Sequence, residues 1–234
     1  MQRFADIDAW VFDLDNTLYA PGKNLFAQID VRMTAFIQEA LKVDKQEAFR
    51  VQKQFLGEYG TTLSGLMNEH GLPPGPFLDF VHDIDVSVLD PDPHLAAAIE
   101  ALPGKKFIFT NGTEAHAERV AGQLGLYHLF DDVFDIVAAD YTPKPNAAIY
   151  PKMLERFGIS ADRTAFFEDM ARNLTPAHKL GMATVLVTED GTDGNTDGSA
   201  KMHMPEQYRQ HEAAHIDVTT DRLSAFLHEL LAAR

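Results

Sequence analysis

The chain has 234 residues, 45% of them hydrophobic, with no apolar run near the roughly 18 residues of a membrane span, so a large globular core is expected and no transmembrane segment. Its formal net charge of −15 excludes the broad basic footprint that a nucleic-acid polymer or an anionic membrane surface needs, but not a small anionic ligand in a site with its own local field. The lack of cysteine excludes disulfides and thiolate chemistry, and with Asp6 and Asp8 ahead of the first apolar run no export signal is read, so a cytoplasmic protein is expected.

The run Ala9-Trp10-Val11-Phe12 predicts a buried central strand. It leads into Asp13-Leu14-Asp15. Two carboxylates spaced i, i+2 would leave such a strand on one side. Holding two like charges about 4 Å apart costs about 4 kcal/mol at an effective dielectric near 20. A chain tolerates that where a cation sits between the acids or one carboxyl stays protonated, and both conditions mark catalytic sites.

Residues 20–104 then read as helical. Leu25, Ile29, Met33, Phe36, Ile37 and Leu41 recur at helical spacing. Asp44 suits the N-cap of a second helix running to Gly60. Shorter helices are expected over 63–70 and 77–82, separated by the break Leu72-Pro73-Pro74-Gly75-Pro76. From residue 105 the pattern alternates. Strands are expected at 106–110, 133–138, 164–168 and 183–187, with helices near 113–124, 145–157 and 176–180. Pro145 and Pro176 suit first helical positions, Thr175 an N-cap, and Gly125, Gly158 and Gly181 C-terminal caps. Residues 188–211 read as a long polar loop. A last strand is expected at 215–218, and a final helix carries Leu223, Phe226, Leu227, Leu230 and Leu231 on one face. Strand–helix alternation predicts an α/β, doubly wound parallel sheet, interrupted after its first strand by an all-helical insert. The expected division is 1–18 with 105–234 as core, and 19–104 as cap. In such sheets ligands bind at the carboxyl ends of strands.

Four strand ends carry polar residues in a fixed order: Asp13-Leu14-Asp15, then Thr110-Asn111-Gly112, then Lys144-Pro145, then Glu168-Asp169 with Asn173 beyond. In this order and rough spacing the chain resembles the haloacid dehalogenase superfamily of phosphohydrolases with a C1-type helical cap. Asp13-Leu14-Asp15-Asn16-Thr17-Leu18-Tyr19 has Asn16 where the commonest family pattern has Gly. With Tyr59-Gly60-Thr61-Thr62-Leu63-Ser64-Gly65-Leu66 and Val81-His82-Asp83-Ile84-Asp85, it is similar to the pyrimidine 5′-nucleotidase branch.

The resemblance implies a phosphomonoesterase that acts on a small phosphorylated metabolite, here a pyrimidine nucleoside 5′-monophosphate. A sugar-phosphate or phosphoglycolate phosphatase, or a phosphomutase, is the runner-up. A non-catalytic phospho-ligand-binding protein and an acidic interaction protein stand behind these. Asp13 would attack phosphorus and form an aspartyl-phosphate. Asp15 would protonate the leaving oxygen and then activate water. Mg²⁺ would be held by Asp13, Asp169 and the Asp15 carbonyl, with Glu168 adding a ligand directly or through water. Lys144 would contact phosphate and Asp13; Thr110, Asn111 and nearby N–H groups would hold phosphate oxygens; Asn173 would orient the Asp169 region. Arg32, Tyr59 and His82 are candidates for the substrate side of the cap. Their plainer readings are a solvated helix face, a core aromatic and a hinge residue.

Two other patterns carry less. His211-Glu212-Ala213-Ala214-His215 matches a zinc-protease helix motif, but Ile216-Asp217-Val218 reads as strand and would stop the helix at its second histidine. Asp193-Gly194-Asn195-Thr196-Asp197-Gly198 begins like a calcium loop, but Met204 stands where the bidentate glutamate belongs.

Overall fold

The computed structural model describes residues 2–188 and 214–234. Among these the chain order is β1 (Ala9–Phe12), α1 (Leu25–Leu41), α2 (Lys45–Tyr59), α3 (Thr62–His70), α4 (Pro74–His82), α5 (Pro93–Ala101), β2 (Lys105–Phe109), α6 (Glu114–Gln123), β3 (Asp132–Phe134), α7 (Ile149–Phe157), β4 (Thr164–Glu168), α8 (Ala171–Leu180), β5 (Ala183–Val187), β6 (Val218–Thr220) and α9 (Leu223–Ala232). The strands form one parallel sheet in the order β3-β2-β1-β4-β5-β6. The chain builds outward from β1 through β2 to β3, then crosses to the other side of β1 at β4. That reversal opens a crevice at the carboxyl ends beside β1.

Strand alternation splits the apolar residues between two cores. Trp10, Phe12, Ile108, Ala165, Phe167 and Val185 face one side, with α5, α6 and α9 packed over them. Val11, Phe107, Phe109, Phe166 and Leu186 face the other, under α7 and α8. Because both faces are covered, the strands read as continuous apolar runs rather than as alternating ones. The helices α1 to α4 pack on one another, while α5 packs on α9. Asp44 caps α2 by accepting from Glu47 N (2.9 Å), and Thr61 caps α3 by accepting from Ser64 N (3.1 Å). No helix among the described residues is long and apolar enough to cross a membrane.

Several expected boundaries move. The strand expected at 133–138 ends at Phe134. The chain turns there, with the Asp135 carboxylate accepting from Glu114 N (2.9 Å) and Ala138 N (2.8 Å). The helix expected from Pro145 starts at Ile149, and the one expected from Pro176 starts at Ala171, with Pro176 inside it. Thr175 is therefore not a cap. Just ahead of α8, Glu168 Oε1 accepts from Met170 N (3.1 Å). The helix α4 begins at Pro74, so the expected break runs into its first turn. The last strand lies at Val218–Thr220 rather than 215–218. The calcium-like segment 193–198, most of the 188–211 loop, and His211 to Ala213 lie outside the described residues. His215 lies in a turn, with Nε2 2.9 Å from Ala171 O.

Candidate active site

Three neighbouring strands end side by side. Phe12 pairs with Ile108 on one flank and Phe167 on the other. The next residue, Asp13, extends the ladder by donating its N–H to Phe167 O (2.9 Å), and Thr110 does the same to Phe134 O (3.0 Å). Glu168 closes β4, and Asp169 follows it. Residues distant in sequence therefore share one rim because the register aligns their strand ends.

Lys144 reaches this rim from the loop before α7. Asn111 fixes that loop: its Oδ1 accepts from Lys144 N (2.8 Å) and its Nδ2 donates to Lys144 O (3.3 Å). The Lys144 side chain is 1% exposed. It donates to Asp13 Oδ1 (2.7 Å), Glu168 Oε2 (2.8 Å) and Phe109 O (2.8 Å), so all three ammonium donors are used.

Asp13, Glu168 and Asp169 each offer a carboxylate oxygen within 4.8 Å of the others. One lysine cannot offset three carboxylates, of which Asp13 and Glu168 are buried and Asp169 partly so, and the surplus appears as shifted protonation. Burial pushes Asp13 up to about 7, with Glu168 adding and Lys144 opposing. Asp169 is driven well above the carboxylate range, first by burial and then by Glu168 and Asp13. Burial would also raise Glu168, but Lys144 and hydrogen bonds from Asp169, Lys144 and Met170 N outweigh it, so it falls. For Lys144 burial is outweighed by Asp13 and Glu168, and the ammonium is held. Converging hard oxygen donors with uncompensated negative charge fit a hard divalent cation such as Mg²⁺.

Asp15 lines the same cavity, but its carboxylate has other partners. Because β1 ends at Phe12, strand alternation does not govern Asp15. The chain turns instead, with Thr17 N (3.3 Å) and Leu18 N (3.0 Å) both on Leu14 O. Asn16 takes a left-handed φ of 61° there, which Asn tolerates better than most side chains. Tyr19 Oη donates to Asp15 Oδ1 (2.6 Å), and His116 Nε2 lies 3.0 and 3.2 Å from the two carboxylate oxygens. Burial would raise Asp15, but the charge and hydrogen bond of His116, then the Tyr19 hydroxyl, bring it below its usual value.

Thr110, Asn111, Asn173 and His82 also line the cavity. Thr110 Oγ1 accepts from Gly112 N (2.9 Å). Asn173 is buried, and its Oδ1 has no hydrogen-bond partner among the described residues. Arg32 and Tyr59, expected on the substrate side, do not line the cavity. The α1 stripe facing it is Phe26, Ile29, Asp30 and Met33, and Arg32 falls off that stripe. Arg32 instead donates to Phe80 O (2.5 Å) and Asp83 (2.9 Å) on α4 and just beyond it. Tyr59 packs edge-on to Phe55 and donates to Glu69.

Sequence reasoning did not single out His116, Asp30, Gln52, Lys53 or Arg172. Lys53 Nζ (2.6 Å) and Gln52 Nε2 (2.7 Å) both donate to Asp30 Oδ1 in the roof that the insert gives the cavity. Arg172, on α8, donates to Gly60 O (3.1 Å) at the end of α2. Tyr19 was not singled out either, although it stands four residues after Asp15 in the first motif.

Comparison with known proteins gives these features a setting. A family model described as haloacid dehalogenase-like hydrolase matches residues 7–181. The chain is 28% identical over 193 residues to Phosphate metabolism protein 8 of Saccharomyces cerevisiae, an alignment covering 75% of this chain and 60% of that relative's length. It is 26% identical over 195 residues to Glyceraldehyde 3-phosphate phosphatase of Methanocaldococcus jannaschii, covering 76% of this chain and 83% of that one. Among solved structures, a HAD phosphatase from Thermococcus onnurineus superposes with a TM-score of 0.61 at 19% identity, covering 97% of each chain.

Proposed function

The chain belongs to the haloacid dehalogenase-like hydrolase family, and from that premise we propose that it is a Mg²⁺-dependent phosphomonoesterase working through an aspartyl-phosphate. The observation that carries this reading is the division of labour between the acids. Asp13 is bound to Lys144 inside an acidic cluster, while Asp15 is held apart by Tyr19 and His116. A haloacid dehalogenase would have no use for Asp15 or for the surplus carboxylates.

In this reading Asp13 attacks phosphorus in line as the bond to the ester oxygen breaks. Asp15 gives its proton to that oxygen, then takes one from the water that attacks the aspartyl-phosphate. Inorganic phosphate leaves, and Asp13 is regenerated. His116 and Tyr19 hold Asp15 below its usual value, and a phosphate dianion beside it would raise it so that it carries the proton to be given. Lys144 offsets charge on Asp13 and on phosphate, while Thr110 and the following N–H groups hold phosphate oxygens. Asn111 keeps the Lys144 loop in place, and Asn173 supports the Asp169 turn. A cation held by Asp13, Asp169, the Asp15 carbonyl and Glu168 would neutralise the phosphoryl oxygens. Residues 1–18 and 105–234 are the catalytic core and 19–104 the C1-type cap, with α5 lying on the core side of that insert.

For the substrate, we favour a short phosphorylated carbohydrate. The support is the likeness to relatives such as the archaeal Glyceraldehyde 3-phosphate phosphatase, which aligns with about three quarters of the chain. The pyrimidine nucleotide reading rests on the Asp13–Tyr19, Tyr59–Leu66 and Val81–Asp85 segments. It is weakened by Arg32 and Tyr59, which do not line the cavity. Phosphate release from triose, glycerol and hexose phosphates and from UMP and CMP, with Mg²⁺ or with chelator, decides. Mg²⁺-dependent release led by a sugar phosphate is expected. Release led by UMP or CMP would restore the nucleotidase reading, and release indifferent to chelator would overturn the metal site.

A further inference from the structure

Resting on the phosphomonoesterase reading, we propose that His116 is a positioning residue that aims Asp15 at the leaving oxygen, and that His82 clamps it from the end of α4. The His116 side chain is fully buried and spans the gap between α6 and the Asp15 turn. Its Nδ1 has no hydrogen-bond partner among the described residues, so the hydrogen bonding of this ring is directed at Asp15 through Nε2. A histidine kept only for packing would not need that orientation.

The His82 ring stacks on the His116 ring, with centroids 4.3 Å apart and planes 12° from parallel. His82 Nδ1 is 3.3 Å from Thr113 Oγ1, the N-cap of α6. Arg119, further along α6, donates to His82 O (2.8 Å) and Ile84 O (2.6 Å). Thr113, His116 and Arg119 are spaced three apart, so one side of α6 grips the end of α4 and also holds Asp15. Gly112 gives the His116 ring room, since a Cβ there would lie 3.1 Å from His116 Cδ2. The consequence is that Asp15 is aimed correctly when α4 is docked on α6.

The test separates protonation of the leaving group from general damage. A nitrophenolate leaves without a proton, whereas an alkoxide requires one. In Mg²⁺, kcat/KM is measured for p-nitrophenyl phosphate and for glycerol 3-phosphate with wild type, His116→Phe, His116→Gln and His82→Ala, and thermal melting is recorded for each. His116→Phe keeps a ring in the stack without the donor. It is expected to lower kcat/KM for glycerol 3-phosphate by roughly 10- to 100-fold and for p-nitrophenyl phosphate by less than about threefold. His116→Gln restores a donor and is expected to recover most of the loss, and His82→Ala to give the same selective loss at smaller size. Equal losses on both substrates, or full glycerol phosphate activity in His116→Phe, would overturn the inference. A His82→Ala effect confined to KM would remove the clamp. Wild type that releases phosphate from neither compound would instead sink the phosphomonoesterase reading on which this rests.

Discussion

At the scale of single residues, Asp13 is a carboxylate whose burial opposes its ionisation despite its bond to Lys144. Burial holds its folded pKa near 7, against 3.8 unfolded. Between those values the folded state binds more protons than the unfolded one, so this group contributes less to stability as pH rises. In chelator, Asp13→Asn should therefore melt higher than wild type by a margin that grows from pH 4 to 7 and levels off above. A margin that is flat across this range would show that Asp13 is ionised at no cost in the empty site. The same substitution should remove turnover, since the amide is not a nucleophile.

Asp13, Asp15, Thr110, Glu168 and Asp169 could be picked out in the sequence because each lies at or just past the end of an apolar run, where chemistry shows as an interruption, whereas Lys144, in Thr142-Pro143-Lys144-Pro145, was legible only from its place in the order of the motifs. His116 gave no such signal. It is a polar residue in an amphipathic helix, and its contact with Asp15 spans 101 positions. Asp30 and Lys53 were hidden for the same reason. Their pairing joins two helices, and each alone reads as a solvated face.

At the scale of elements, the helices of the insert depend on close approach. A Cβ on Gly65 would lie 2.2 Å from Phe55 Cγ, so α3 sits against α2 at a distance only glycine permits. Gly65→Ala should cost about 1–3 kcal/mol through overpacking and lower the melting temperature by several degrees, roughly 2–4 °C per kcal/mol for a chain of this size. An unchanged melting temperature would mean that α2 and α3 can separate freely. Caps and periodicity made α1, α2 and α9 readable, because Asp44 and the apolar stripes act locally. Proline misled at 145 and 176. It marks a helix start when nothing else does, but α8 already begins at Ala171, just past the contact of Met170 N with the Glu168 carboxylate, and Pro176 falls inside it. The early stop of β3 was unreadable for a similar reason, since the partners of Asp135 are N–H groups on α6 and in the following turn.

At the scale of the whole molecule, strand order turns scattered residues into a site. Placing β1 between β2 and β4 puts three strand ends, and the acids they carry, in one crevice. Strand–helix alternation made this architecture legible, whereas the roof was not, because which helix stripe faces the crevice depends on how α1 to α4 pack together. The crevice also joins the parts thermodynamically. Mg²⁺ should raise the melting temperature, since a ligand at 100 times its Kd adds about 2.7 kcal/mol to the folded state. Asp169→Asn should abolish that gain. A gain that survives in Asp169→Asn would place the cation elsewhere on this acidic surface.

The most direct test of the central claim is the mass of the protein caught during turnover. Asp15→Asn with p-nitrophenyl phosphate and Mg²⁺ should be phosphorylated but slow to release phosphate, since the first step needs no proton and the second needs a base. Acid-quenched protein should gain one phosphoryl group, mapped to the peptide carrying Asp13 and absent from Asp13→Asn. Steady phosphate release with no mass gain on Asp13, or a phosphoryl group on another residue, would contradict the aspartyl-phosphate account.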